Sequence, residues 1–212
     1  MNQQLIVSVG REFGSGGHEI AACLAGRLNL KLYDHNLLDE IAHEHELASA
    51  VLHKYDEKPR RLFLSRNENG YSSSAEVGVA YLQFEYLKKK AEDGESFVVV
   101  GRCAETVLQQ FPGLASFFIV GDPEIKCARI RNLYHLSEKE ALHKMQRHDQ
   151  YRKKYHNYFC ADRWGDSRTY DLCINSSRLG IEGTTDLLEA YINNKHRIQE
   201  VANTTSAGQG LP

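Results

Sequence analysis

The feature that most constrains the fold of this chain is a glycine-rich turn between a strand pattern and a helix pattern. Residues 5–9 are a β-branched apolar run that is too short for a helix and ends at Gly10. Residues 14–17 are Gly-Ser-Gly-Gly, and the apolar residues between 20 and 28 then recur at the spacing of one helical face. Strand, turn and helix in this order predict the first unit of an α/β fold.

Three later segments also have the pattern of strands. Residues 97–100 and 117–120 are continuous apolar runs, and a glycine follows each of them. Continuous runs are typical of parallel strands that are covered on both faces. Residues 170–174 predict a last, short strand. Because helical patterns lie between these segments, we predict a three-layer α/β fold with a mostly parallel sheet.

Helix starts are marked in the second half of the chain. Asp122 followed by Pro123 is a cap with proline at the first helical position, and it predicts a helix to about residue 133. Ser137 and Glu140 have the spacing of a capping box, which predicts a helix to about residue 155. An apolar pattern over 181–192 predicts the closing helix.

The chain is predicted to form a single domain over residues 1–192. Its helical insert is expected at about 35–95, including an irregular and mobile stretch from about 48 to 75 that lacks a clear period. A lid is expected at about 134–168. Residues 193–212 are polar, end in small residues, and are predicted to be a flexible tail.

Charge and composition exclude some classes of function. The 212 residues carry a formal net charge of −2, which argues against a protein that binds a nucleic-acid polymer or an anionic membrane with its whole surface. No basic segment followed by a long apolar run indicates a leader or a membrane span. The five cysteines are scattered without a C-x-x-C pair, as in reduced cytosolic proteins. We therefore expect a cytoplasmic protein, either monomer or homodimer.

The glycine turn has the features of an anion site. Successive backbone N–H groups in such a turn point inward, and the following helix adds its positive N-terminal end. A complete phosphate-binding loop has the pattern G-x-x-x-x-G-K-[ST]. Aligned on Gly16, this chain has Arg11 at the first glycine, Gly17 at the lysine and His18 at the hydroxyl. The alternative is a tight connection that binds nothing.

Residues 6–21 resemble the opening of the cytidylate-kinase-like family, whose members carry G-S-G-G where cytidylate kinases carry G-S-G-K. The similarity continues in order through 32–34, 100–103 and 174–177. It implies a P-loop NTPase-type fold with a parallel five-stranded sheet, and an ATP-dependent nucleotide kinase that acts on a nucleoside monophosphate. ATP and Mg²⁺ are the cofactors that the resemblance implies, and nucleotides are the implied partners.

The resemblance also implies roles for individual residues. Arg102 matches the arginine that meets the acceptor phosphate, and Asp34 matches an aspartate near the phosphates and the metal. The residues expected to bind phosphate are Gly14, Ser15, Gly16, Gly17 and His18. The residues expected to act in catalysis are Arg11, Asp34, Arg131 and Arg152.

Each of these roles has a structural alternative. Arg11 either replaces the missing lysine, since guanidinium binds two phosphate oxygens at once, or points into water. Arg102 either binds the acceptor or forms an ion pair. Asp34 either holds Mg²⁺ through water or caps the next helix. His18 either donates to an anion or is merely exposed.

The lid arginines require a choice. Arg129 and Arg131 are two positions apart on a predicted helix and cannot share a face, and Arg131 is the one expected to point inward. Arg152 lies in the predicted lid. Two hypotheses remain open. The chain is either a kinase or a nucleotide-binding regulator with little turnover, which the missing lysine favours.

Overall fold

A parallel sheet of five strands forms the centre of the molecule. The computed structural model describes residues 4–44, 52–53, 67–68, 71–72 and 75–207. The strands are β1 (Ile6–Arg11), β2 (Lys31–Tyr33), β3 (Asn67–Glu68), β4 (Tyr71–Ser72), β5 (Phe97–Val100), β6 (Leu114–Val120) and β7 (Leu172–Asn175). The sheet has the order β2-β5-β1-β6-β7, while β3 and β4 form a separate antiparallel pair. The predicted fold class, a parallel five-stranded sheet flanked by helices, is confirmed.

Seven helices connect or flank these strands within the described residues. They are α1 (Gly17–Arg27), α2 (Leu37–Glu44), α3 (Ala75–Glu92), α4 (Ala104–Val107), α5 (Pro123–Tyr134), α6 (Glu138–Phe159) and α7 (Gly180–Ala207). The predicted starts of two helices are confirmed. Asp122 is the N-cap of α5 with Pro123 after it, and Ser137 and Glu140 form both bonds of a capping box on α6.

The central strand β1 has a core on each of its faces. Ile6 faces a cluster made with α2 and α3, whereas Val7 and Val9 face a cluster made with α1 and α7. All three side chains are fully buried. Burying each such side chain contributes about 1.5–3 kcal/mol, and the two covered faces explain why the strand is apolar at nearly every position.

Some boundaries differ from the prediction. β7 begins at Leu172 rather than at residue 170, because the Tyr170 ring packs against Phe118 at 5.1 Å between centroids. α7 continues past 192 to Ala207, since no glycine or proline interrupts the sequence before Gly208. Most of the predicted irregular insert at 48–75 lies outside the described residues.

Candidate active site

The glycine turn lies at the carboxyl end of β1 and depends on its glycines. Gly14 and Gly16 have φ angles of 87° and 79°, a region that favours glycine. A Cβ atom on Gly16 would lie 2.3 Å from Cδ1 of Ile181. The Ser15 hydroxyl donates to the carbonyl of Glu12 at 2.9 Å, which closes the turn. The loop is therefore held in one shape by backbone geometry and by contacts with α7.

A second contact fixes the loop to the end of the sheet. The hydroxyl of Ser176, in the segment that follows β7, donates to the carbonyl of Ser15 at 2.5 Å. Both side chains are buried. The segment 174–177, which carries part of the family resemblance, therefore holds the glycine turn through this hydrogen bond.

The loop opens onto a cleft of about 440 Å³. Gly16 is the N-cap residue of α1, and because glycine has no side chain it makes no capping hydrogen bond. The first N–H groups of any helix lack partners within the helix and carry its partial positive charge. The cleft is within the size range of ligand sites, and Gly14, Gly16, Gly17 and His18 line it at the positive end of α1.

The side chain of Arg11 occupies the place from which the usual lysine would extend. A Cβ atom built on Gly17 would lie 2.6 Å from Cβ of Arg11 and 3.1 Å from its Cγ. Real Cβ atoms do not approach this closely, so Arg11 and a lysine at position 17 exclude each other in this geometry. The arginine at position 11 and the glycine at position 17, which both depart from the usual loop pattern, therefore depend on each other.

Asp34 is the centre of a polar cluster beside the loop. Its Oδ2 atom lies 2.7 Å from Nε2 of His18 and 3.2 Å from Nδ1 of His35. Its Oδ1 atom accepts a hydrogen bond from the amide of Asn36 at 3.0 Å. Burial raises the pKa of the Asp34 carboxyl, but the bonds to His18 and Asn36 outweigh this and lower the pKa below its usual value. Asp34 is therefore a carboxylate at neutral pH.

The same three side chains have the spacing of a cation site. The ligand atoms of His18, Asp34 and His35 all lie within 4.8 Å of one another. The side chains of Asp34 and Asn36 also exchange local backbone bonds just before α2, and the capping role expected as the alternative for Asp34 stays a prediction. His35 was not predicted from the sequence, since neighbouring residues do not reveal which way an imidazole turns.

Three predicted arginines meet around a narrow cavity of about 20 Å³. Arg11, Arg102 and Arg152 all line it. Arg102 is 4% exposed and donates from Nη2 to the carbonyl of Asp34 at 3.4 Å. Arg152 donates from Nη1 to the carbonyl of Arg11 at 3.2 Å. The structure thus brings together the end of β1, the turn after β5 and the middle of α6 at one edge of the sheet.

The turn that carries Arg102 is strained. Gly101, Arg102 and Cys103 have φ angles of 76°, 61° and 54°, so two residues with side chains adopt the left-handed conformation in succession. Such conformations raise the free energy by about 1–3 kcal/mol each and cluster at functional sites. The strain directs the Arg102 guanidinium into the cavity.

The prediction for the lid arginines requires a correction. Arg129 lies beside the loop, with Nη1 2.8 Å from Oε2 of Glu19 and 2.8 Å from the position of a Cβ on Gly16. Arg131 is exposed and does not line the cleft. Because residues two positions apart lie about 200° apart around a helix, only one of them can face the loop, and in this structure it is Arg129. The catalytic role expected for Arg131 stays a prediction.

Helix α6 packs directly on the loop. The Phe13 and His148 rings stack with centroids 4.2 Å apart, and the Asp149 carboxylate accepts a hydrogen bond from the Phe13 amide at 2.7 Å. Burial is the main influence on Asp149 and raises the pKa of its carboxyl. Lys126 of α5 pairs with Glu12 at 2.8 Å. These partners were missed because nothing in their spacing along the sequence indicates contact.

A parallel sheet with a glycine loop at its carboxyl edge and arginines around that loop defines a P-loop kinase fold. The cytidylate kinase-like family model matches residues 6–178, and the chain belongs to this family. The chain is similar to a solved uncharacterized protein from Eubacterium ventriosum ATCC 27560, with 39% identity and a TM-score of 0.72, covering 90% of this chain and 99% of that one.

Two solved structures of much lower sequence identity share only the fold with this chain. A shikimate kinase from Bacteroides thetaiotaomicron has 14% identity and a TM-score of 0.53, with 89% of this chain and 98% of that chain covered. A gluconokinase from Sinorhizobium meliloti 1021 has 12% identity and a TM-score of 0.51, with 97% and 99% covered. No curated protein matches the chain significantly. Within the described residues, no helix combines the length and apolar character that a membrane span requires.

Proposed function

We propose that this protein is an ATP-dependent phosphotransferase that transfers the γ-phosphoryl group to a nucleoside monophosphate. The observation that carries the proposal is the contact of Arg11 with Gly17, 2.6 Å from Cβ to the position of a Cβ. The loop lacks its lysine, yet the stem of a cationic side chain, Cβ and Cγ of Arg11, lies where the lysine stem would begin. Family membership supports a kinase over an unrelated anion-binding protein.

The arrangement of charge supports phosphoryl transfer. This reaction needs little covalent help from the protein, and its catalysis comes from alignment and from positive charge around the transferred group. Arg11 and Arg129 line the loop cleft, while Arg11, Arg102 and Arg152 line the adjoining cavity. Arg11 therefore lies between the proposed sites for the donor and the acceptor.

The residues beside the loop fit a divalent cation. The Asp34 carboxylate would hold Mg²⁺ through water, as this ion usually keeps much of its hydration and shares ligands with phosphate groups. When bound, the ion would neutralise charge on the phosphates. His18 stands where the loop hydroxyl usually does, so in this chain an imidazole lies between the loop and Asp34.

Arg102 is the proposed anchor for the acceptor phosphate. Its buried guanidinium would form charge-assisted bonds to the anion. The cavity beside it holds about 20 Å³, enough for about one water molecule and far too small for a nucleotide. Acceptor binding therefore requires the Arg152 side chain to move out of the cavity.

A regulator that binds nucleotide without turnover is the second candidate. Two observations favour it: the Asp149 carboxylate already occupies the Phe13 amide of the loop, and the cavity at Arg102 is closed. Both are also compatible with a kinase in its resting conformation. The two candidates differ in turnover and not in nucleotide binding.

The decisive experiment combines a coupled ADP-release assay with calorimetric titration of ATP and Mg²⁺. The assay uses a panel of nucleoside monophosphates, with shikimate and gluconate as further acceptors. Turnover with a monophosphate supports the proposal. ATP binding without turnover on any acceptor favours the regulator, and turnover only with shikimate or gluconate would contradict the acceptor class.

The titration tests the role of Arg11. We expect Arg11→Ala to weaken ATP binding by about 1–3 kcal/mol, as for the loss of a charge-assisted hydrogen bond. Arg197→Ala is the matched control, because Arg197 is exposed on α7 and contacts Asn194. Equal affinities in the two variants would show that Arg11 does not replace the lysine.

A further inference from the structure

A second cluster of ionisable side chains lies behind the arginine cavity. Glu105 belongs to α4, His156 to the last turn of α6, and Cys160 caps that helix. The three residues are 5%, 4% and 7% exposed. Nε2 of His156 lies 2.7 Å from Oε1 of Glu105. The proposed phosphoryl transfer assigns no role to these three residues.

The cluster has the spacing of a metal site. One ligand atom each from Glu105, His156 and Cys160 lie within 4.8 Å of one another. Nε2 of His156 faces the Glu105 carboxylate, and the same imidazole interacts with the side chain of Cys160, so the three side chains converge on one buried point.

Cys103 lies next to Cys160 and is the candidate for a fourth ligand. Both cysteines belong to one buried cluster with Tyr155. The Cys103 thiol is the main influence that lowers the pKa of Cys160 to about 5; His156 also lowers it, while burial opposes both. Cysteine binds metals in its thiolate form, so the site requires its thiols to lose their protons when the ion binds.

We propose that Cys103, Glu105, His156 and Cys160 bind a zinc ion. Two thiolates, an imidazole and a carboxylate suit zinc and do not suit Mg²⁺ or Ca²⁺, which take oxygen ligands. Zinc bonds of about 2.0–2.3 Å in a tetrahedron place ligand atoms about 3.3–3.8 Å apart. Side-chain shifts of about 1 Å bring the ligand atoms of Glu105, His156 and Cys160, which lie within 4.8 Å of one another, into this range.

Binding the ion requires the loss of protons and leaves a modest charge. The Cys103 thiol and the His156 imidazolium each release one proton to solvent. Zinc with two thiolates, one carboxylate and a neutral imidazole carries one net negative charge. The nearby Arg102 and Arg152 guanidinium groups, which line the cavity together with Cys103 and His156, balance it.

The ion would connect two moving parts of the molecule. Cys103 follows Arg102 in the strained turn after β5, whereas His156 lies one helical turn beyond Arg152 on α6. Zinc would therefore fix the end of α6 to the turn that directs Arg102. This inference does not depend on the proposed kinase activity, because the site is defined by ligands and not by a nucleotide.

The test measures metal directly on the full chain without nucleotide. Chelator-treated, reduced protein is titrated with Zn²⁺, and with Co²⁺ as a spectroscopic probe of thiolate ligands. We expect one equivalent of Zn²⁺ and a Co²⁺ spectrum with thiolate charge-transfer and tetrahedral bands. Cys160→Ser should bind at least ten-fold more weakly, and Cys173→Ser, at an exposed cysteine, should bind as the wild type does.

Several results would overturn the proposal. They are the absence of stoichiometric binding to the folded wild type, unchanged binding by Cys160→Ser, and loss of the ion in His18→Ala, which would assign it to the cluster at the loop. A Cys103–Cys160 disulfide that persists in the reduced protein would overturn it as well. If Cys160→Ser does not fold, the Co²⁺ spectra of the wild type and His18→Ala decide. Failure here leaves the ADP-release assay unaffected, so the two proposals fail separately.

Discussion

Two carboxylate–imidazole pairs lie at the carboxyl edge of the sheet, and each has a contact of 2.7 Å. The His18–Asp34 pair borders the open cleft at the loop, and its imidazole is 52% exposed. The side chains of the His156–Glu105 pair are only 5% and 2% exposed. The same contact is therefore open to water at the loop and shielded from bulk water behind the arginine cavity.

Burial amplifies the electrostatics of the inner pair. Burial alone would lower the pKa of His156, but Cys160 and the Glu105 carboxylate outweigh it and raise the pKa to about 10. At the loop, His18 and Asn36 lower the pKa of Asp34 despite its burial. The inner pair is thus part of the stability of the fold, whereas the outer pair is available for binding.

The largest expected effect compares the two histidines. His156→Ala should destabilise the protein by about 3–5 kcal/mol, since it leaves the Glu105 carboxylate buried without its partner. His18→Ala should change stability by less than about 1 kcal/mol, as for exposed ion pairs. Urea unfolding of both variants measures the difference. Similar losses in the two variants would contradict the division into an inner and an outer pair.

A smaller effect tests the coupled loop positions. Gly17→Lys alone should weaken ATP binding by about 1–3 kcal/mol, because its side chain overlaps Arg11 and forces the loop to shift. The double variant Arg11→Gly, Gly17→Lys should regain most of that affinity. Titration of both with ATP and Mg²⁺ is the measurement. Full affinity in the single variant would show that the two side chains do not compete for space.

The pH dependence of stability sharpens the comparison further. The pKa of His156 rises from 6.5 to about 10 on folding, so its stabilisation is complete below pH 6.5 and is lost as the pH rises to 10. The pKa of Cys160 falls from 9.0 to about 5, so its stabilisation is complete above pH 9 and is lost as the pH falls to 5. The two opposing trends cancel between pH 6.5 and 9, so the summed contribution of His156 and Cys160 to stability is predicted to be constant over that range.

Outside that plateau the contribution of the pair should fall by about 1.4 kcal/mol per pH unit, toward pH 5 on one side and pH 10 on the other. Cys160→Ser should lose the plateau and decline from pH 6.5 upward. The measurement is the free energy of unfolding with chelator present. The difference between wild type and Cys160→Ser isolates the contribution of the pair. An identical pH profile for the two proteins would contradict the assigned protonation states.

The smallest effect concerns the corrected lid arginine. Arg129→Ala should weaken ATP binding by about 1 kcal/mol, less than a buried charge-assisted bond, because its side chain remains partly exposed. Arg131→Ala, on the opposite face of α5, should leave affinity within about 0.3 kcal/mol. A larger loss in Arg131→Ala would restore the original expectation from the sequence.

The sequence predicted the elements whose signals are local. The strand before the loop, the caps at Asp122 and Ser137, and the glycines at 14 and 16 each depend on neighbours within a few positions. The approach of Arg102 to the phosphate loop followed from its place after a strand, because parallel strands end at a common edge. The choice between Arg129 and Arg131 failed, since it required the rotational phase of α5.

The amino-acid sequence by itself determined the parallel α/β architecture and the position of the glycine loop, because hydrophobic period, caps and glycine turns act over short distances. Tertiary structure alone decided the contacts between distant residues. Glu105 and His156 are 51 positions apart, and their pairing depends on where α6 ends relative to the turn after β5. Burial then decided how the pair behaves, since the same side chains at the surface would exchange partners freely with water.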